Sequence, residues 1–215
     1  MKSLAILILV LPLSAVAAEK SGDTQATDRL PQPHFHRQPS DPAWLVTVVQ
    51  FHGHLGPSVV AGARMGMIGL RAVDAKGYFD VEVTCQGPLA KPPQACFLDG
   101  VQVATGATLG KRSLQWVQAD RLTMQIKNTR TGKIVVLRPT PALSELLASF
   151  KPQPKAGADR GHEDEEQLEA IARKIAAMPE NEIAVKLAGK PSLLFPEDIE
   201  RGMMTDPLDK LEKRR

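Results

Sequence analysis

Aromatic side chains are scarce in this 215-residue sequence: six Phe, two Trp and one Tyr make up 4% of it. A core must therefore be built from Val, Leu, Ile, Ala and Met, which a hydrophobic content of 43% supplies. No basic run is interleaved with rings, and the formal charge is only +3, so no nucleic-acid partner is expected. The basic run from Lys210 to Arg215 alternates with Leu211 and Glu212 and reads as a solvated terminus. Cysteine is limited to Cys85 and Cys96, and there is no Cys-x-x-Cys-His for covalent haem. Past residue 13 no apolar run approaches the roughly 20 residues that a membrane span needs.

What is present begins with Lys2, an apolar run from Leu4 to Leu13 broken by Pro12, and the small residues Ala15 to Ala18. That order predicts a secretory signal peptide over residues 1–18 and a periplasmic or secreted protein, free of membrane span after cleavage. No cysteine follows the signal to carry a lipid. Residues 19–40 are polar, proline-containing and aperiodic, and are expected to form a disordered leader. Within it, His34 and His36 form a His-x-His pair open either to solvent or to weak metal binding. A core domain is expected over residues 41–150. Residues 151–215 then supply a linker, a charged amphipathic helix from His162 to Ala177, and an extended tail that wraps the surface or a partner.

The coarse pattern is α+β, with an antiparallel sheet packed by helices. Asp41-Pro42 opens a helix through Phe51, and a second runs from Pro57 to about Val73. Gly62 and Gly66, four residues apart on that second helix, share a face and permit close approach of another element. Tyr78 to Thr84 alternates like a half-buried strand, and Gln86 to Pro93 is a loop. Cys96 to Thr105 reads as helix, and Leu114–Ala119, Arg121–Asn128 and Lys133–Arg138 read as strands. A further helix runs from Ala142 to Phe150.

The candidate chemistry lies in two segments. In Phe51-His52-Gly53-His54 the two imidazoles flank a glycine and can converge on one point, and imidazole is both a metal ligand and a proton carrier. Alternatively, both histidines cap helix carbonyls. In the segment from Cys96 to Lys111, Cys96, Asp99 and Gln102 share one helix face. A thiolate, a carboxylate and two imidazoles suit a tetrahedral divalent ion, zinc first. Thr105, Thr108 and Lys111 belong to a glycine-bracketed turn suited to an anionic ligand through backbone donors. It is not a phosphate-cradling loop, because Arg112 follows Lys111. A competing use of the cysteines is a Cys85–Cys96 disulfide closing a loop of about twelve residues, worth on the order of 3 kcal/mol.

Phe51-His52-Gly53-His54-Leu55-Gly56-Pro57, Gly62-Ala63-Arg64-Met65-Gly66, Cys96-Phe97-Leu98-Asp99-Gly100-Val101-Gln102 and Thr105 to Lys111 occur in this order. Together, across roughly Trp44 to Arg138, they resemble the FmdE family, named for a protein of the formylmethanofuran dehydrogenase operon. The resemblance implies an α+β core, a homodimer, and a metal pocket built from the His-Gly-His turn and the cysteine segment. On it, His52 and His54 match the family's histidine pair, Cys96 its central cysteine, and Asp99 and Gln102 the following acid and amide. Gly56 and Ala107 stand where the family commonly has cysteines, and the zinc-ribbon-like tail of some relatives is absent. The site is therefore histidine-dominated.

Three functions compete on these residues. The first is a metal-dependent pocket at His52, His54 and Cys96 that carries or acts on a small ligand. The second is non-covalent haem or another prosthetic group, with one histidine axial and Met65 and Met67 close by in sequence. The third is a non-enzymatic partner-binding role centred on the segment after His162.

Overall fold

The computed structural model describes residues 30–149 and 162–187. The expected signal peptide, the first half of the leader, the linker and the last 28 residues (188–215) lie outside the described residues. Helix α1 (Ala43–His52) starts directly after Pro42 and buries Leu45, Val48 and Val49. It stops at Gly53, whose φ of 93° closes the helix by donating its N–H to the Val49 carbonyl. Helix α2 (Pro57–Val73) starts on Pro57, whose missing N–H costs nothing at a helix start. It is buried on nearly every side, as its Ala, Gly, Val and Met content requires.

Strand β1 (Val81–Gly87) starts three residues later than the alternation predicts. The Asp80 carboxylate is the reason. It accepts the N–H groups of Lys76 (3.0 Å) and Gly77 (2.7 Å), closing residues 76–80 into a turn in which Tyr78 has a φ of 62°. Helix α3 (Cys96–Thr105) follows as the sequence predicts, then strands β2 (Leu114–Gln118), β3 (Thr123–Asn128) and β4 (Ile134–Pro139). Helix α4 (Pro141–Ala148) is capped by Thr140, whose hydroxyl accepts the Leu143 N–H.

The described strands form one mixed sheet in the order β2-β1-β3-β4-β5. The α+β class is as expected, but the sheet is not antiparallel throughout: β1 and β2 run parallel, with Cys85 opposite Trp116. Parallel neighbours require a long crossover, and α3 with its flanking loops supplies it. One face carries Val81, Val83, Cys85, Met124, Ile126 and Leu137, all essentially fully buried against the helices. Phe97 is the one aromatic ring in that core among the described residues.

The core takes in more than residues 41–150. Helix α5 (His162–Ala177) buries Ile171, Ala172 and Ile175. Helix α6 (Glu180–Ile183) and strand β5 (Ala184–Lys186) follow, and β5 pairs antiparallel with β4. The segment expected to wrap the surface is thus sheet edge as far as Lys186. The end of the expected leader is likewise held in place. His34 donates its N–H to the Gly53 carbonyl (2.8 Å) and His36 donates its own to Glu169 (2.9 Å). Arg173 of α5 bonds both Asp41 carboxylate oxygens (2.8 and 3.0 Å), the His36 carbonyl (2.6 Å) and Glu169 (3.1 Å). A composition-based reading takes polar, proline-containing sequence as leader because its α5 partners, Glu169 and Arg173, lie more than 130 residues away.

Helices α2 and α3 cross at glycines. A Cβ on Gly62 would stand 2.0 Å from the Phe97 carbonyl oxygen, and one on Gly100 would stand 1.9 Å from that of Val59. Gly100→Ala is therefore expected to destabilise the protein by about 3 kcal/mol or more in urea unfolding, and a cost below about 0.5 kcal/mol would show that the helices can part freely. The Arg173 guanidinium holds the Asp41 carboxyl below its ordinary 3.8. The stability this gives is present above that value and is lost as pH falls through the lower folded one. Asp41→Asn should cost about 3 kcal/mol at pH 7, with the gap to wild type closing below about pH 4 in denaturation series.

Candidate metal centre

His52 is the last residue of α1 and points into the protein, its side chain 8% exposed. Its Nδ1 lies 2.7 Å from Asp99 Oδ2, in the first turn of α3. Gln102, one turn on, donates to the other Asp99 oxygen at 3.4 Å. With Nδ1–H given to Asp99, the ring presents Nε2 inward, and Nε2 is buried without a hydrogen-bond partner. An imidazole fixed by a carboxylate on one nitrogen, with the other turned into the site, is the usual arrangement of a metal-binding histidine.

The Asp99 carboxylate, and after it the half-buried Cys96 sulfur beside the same ring, favour the charged imidazole. They push the His52 pKa up to about 9 against the opposing effect of burial. Cys96 opens α3. The His54 ring lies 4.5 Å from that of His52, centroid to centroid, with the planes tilted by 42°. A Cβ at Gly56 would stand 3.2 Å from His54 Nε2, so glycine there leaves the imidazole room. His54 also lines a cavity of about 70 Å³ with His34, Leu55, Glu165, Leu168 and Glu169.

The structure thus brings His52, Cys96, Asp99 and Gln102 together, with His54 adjacent. The glycine-bracketed turn bonds mainly to itself and its near neighbours. Thr105 is buried, donating to the Val101 carbonyl (2.7 Å) and accepting the Ala107 N–H (3.1 Å). Thr108 accepts the Lys111 N–H (3.1 Å), and the Lys111 ammonium bonds the Gly106 carbonyl and lies over the Tyr78 and Phe79 rings. Both cysteines are free. Cys85 faces the core from β1, and burial pushes its thiol up to about 12. Among the described residues, no three His, Cys, Asp or Glu side chains already surround a common point at coordinating distance. Sequence reading missed Glu165 and Glu169, whose spacing of four places both on one face of α5, because nothing local ties that face to the histidine turn.

Asp99 sets the charge of His52, and its removal is readable. In metal-free protein, Asp99→Asn should lower the His52 pKa from about 9 toward 6.5, as followed by imidazole proton NMR. A raised histidine pKa gives stability that is complete below 6.5 and lost as pH rises through 9. The lead of wild type over the variant should shrink across that window. An unchanged His52 titration would detach the shift from Asp99.

The family described as FmdE, Molybdenum formylmethanofuran dehydrogenase operon, matches residues 51–185, which include the whole site. A relative from Archaeoglobus fulgidus, described as a probable S-adenosyl-L-methionine-binding protein, is 32% identical over 89 residues. That alignment covers 41% of this chain and 24% of the relative, so the chain spans about a quarter of the relative's length. Over the greater part of its length, from the end of α1 to β5, the chain belongs to the FmdE family.

Proposed function

We propose that the protein binds a divalent transition metal, zinc first, through His52, His54 and Cys96, and carries or acts on a small ligand there. The observation that carries this reading is His52 Nε2: buried, without a hydrogen-bond partner, and oriented by Asp99 on the opposite ring nitrogen. A buried ring nitrogen left without a partner costs about 1–3 kcal/mol; a metal would satisfy it by displacing the Nε2 proton that the raised pKa of about 9 keeps on the metal-free ring. The donor set fits zinc, which takes imidazole nitrogen and thiolate sulfur in tetrahedral sites. The environment that favours positive charge on this ring also favours a cation beside it. In such a site the metal would supply Lewis acidity toward a ligand oxygen or nitrogen. Asp99 would hold the His52 ring in orientation, and Gln102 would hold Asp99.

A small-molecule ligand draws support from the description of the Archaeoglobus relative, about a quarter of which aligns with this chain, as a probable S-adenosyl-L-methionine-binding protein. Export to the periplasm or beyond is part of the same reading, supported by Lys2, the Leu4–Leu13 run and the small residues Ala15 to Ala18. Assembly as a homodimer rests on the family resemblance. Among the described residues no helix is long and apolar enough to cross a membrane.

Metal analysis of untagged protein isolated from its native compartment tests the reading. A bound transition metal should be present in at least one equivalent per chain, and the His52→Ala, His54→Ala double variant should lose one equivalent. Unchanged metal content in a folded double variant would overturn it.

A further inference from the structure

Aromatic residues are scarce in this chain, yet Tyr78 and Phe79 stand in water on one turn, 65% and 82% exposed. Leu109, 63% exposed, opens a second turn that closes where the Arg112 N–H bonds the Leu109 carbonyl (2.9 Å). The two turns are held together as one surface. Tyr78 donates its N–H to the Thr105 carbonyl (2.7 Å), and a Cβ on Gly106 would stand 2.7 Å from the Tyr78 ring. Lys111 reaches from the second turn to the first, its ammonium 5.5 Å from the Tyr78 ring centroid and 5.3 Å from that of Phe79. Tyr78 holds a φ of 62°, a region that bulky side chains seldom occupy. The turn therefore carries strain that little burial of these rings repays.

The charge around these tips has one prevailing sign. Lys76 on the first turn, and Lys111 and Arg112 on the second, are all exposed. Of the acids in the two segments, Asp80 is 12% exposed and spent on the N–H groups of Lys76 and Gly77, with Arg130 3.7 Å away. That leaves Asp74, at the end of α2, as their exposed acid.

We infer that Tyr78, Phe79 and Leu109 form a docking surface for an anionic lipid bilayer, with Lys76, Lys111 and Arg112 set against headgroup phosphates. Apolar tips beside cations match a bilayer surface in both its layers: the rings and the leucine enter the boundary with the acyl chains, and the cations stay among the phosphates. Lys111 suits this arrangement, since its ammonium caps both rings and can exchange its Gly106 carbonyl partner for a phosphate. A protein partner would need a pocket for each of these projecting side chains. A bilayer needs none, which favours lipid for side chains that stand this far out. The contact is peripheral, because no described helix is long and apolar enough to cross a membrane.

Sedimentation with lipid vesicles tests this inference. Untagged chain isolated from its native compartment should pellet with vesicles of equimolar phosphatidylglycerol and phosphatidylcholine, and bind phosphatidylcholine alone about tenfold more weakly or less. Sodium chloride at about 0.5 M should weaken the first binding by a similar factor. The variant Phe79→Ser, Leu109→Ser, which removes only exposed side chains, should bind about tenfold more weakly or less. Lys111→Gln alone should cost about fivefold. No binding by wild type overturns the inference, and so does equal binding by the double variant, which would place the contact elsewhere in the chain, the Leu4–Leu13 run included. If wild type ignores vesicles but forms a dimer that the double variant cannot, the surface belongs to a second copy and the lipid reading is overturned.

Discussion

The crossing of α2 over α3 is the constraint on which the site depends. α2 begins five residues after His52, and α3 begins with Cys96. Only because Gly62 and Gly100 let backbone meet backbone can the first turn of α3 come close enough for Asp99 to reach His52 at 2.7 Å. The same contact carries Phe97 into the core as its buried ring. Packing therefore underlies the electrostatics: the close approach of the two helices helps to bring the carboxylate that favours the charged imidazole within reach of it.

Much of this was legible because its signals are local. The Pro57 start of α2, the Cys96–Thr105 helix and the hydrophobic alternation of the strands depend on near neighbours in the chain. The shared face of Asp99 and Gln102 is likewise a matter of spacing, and the Gly62–Gly66 pair announced a close helix neighbour without naming it. What could not be read was assembly. The parallel pairing of β1 with β2 follows from where α3 crosses, and β5 is a three-residue strand whose pairing with β4 leaves no periodicity to see. Thr105 and Thr108 show what spacing alone does not reveal: their hydroxyls bond neighbouring backbone groups and help to close the turn.

The histidine turn is now placed among more charges than its own segment holds. Toward α3 it faces Asp99 and Cys96; toward α5 and the segment before α1 it faces His34, Glu165 and Glu169. The absence of cysteines at positions 56 and 107 fits this balance: Gly56 leaves space at His54, and Ala107 is fully buried.

Arg173 ties residues that are far apart in synthesis. Its partner Asp41 lies 132 positions earlier, so at about 5–20 residues per second Asp41 leaves the ribosome roughly 7–26 s before its anchor. During that interval Asp41 and His36 have no guanidinium or Glu169 to bind, and β4 has no β5 at its edge. Folding of the histidine-bearing end must therefore wait for the C-terminal third of the chain, which keeps the polypeptide open until nearly all of it has been made.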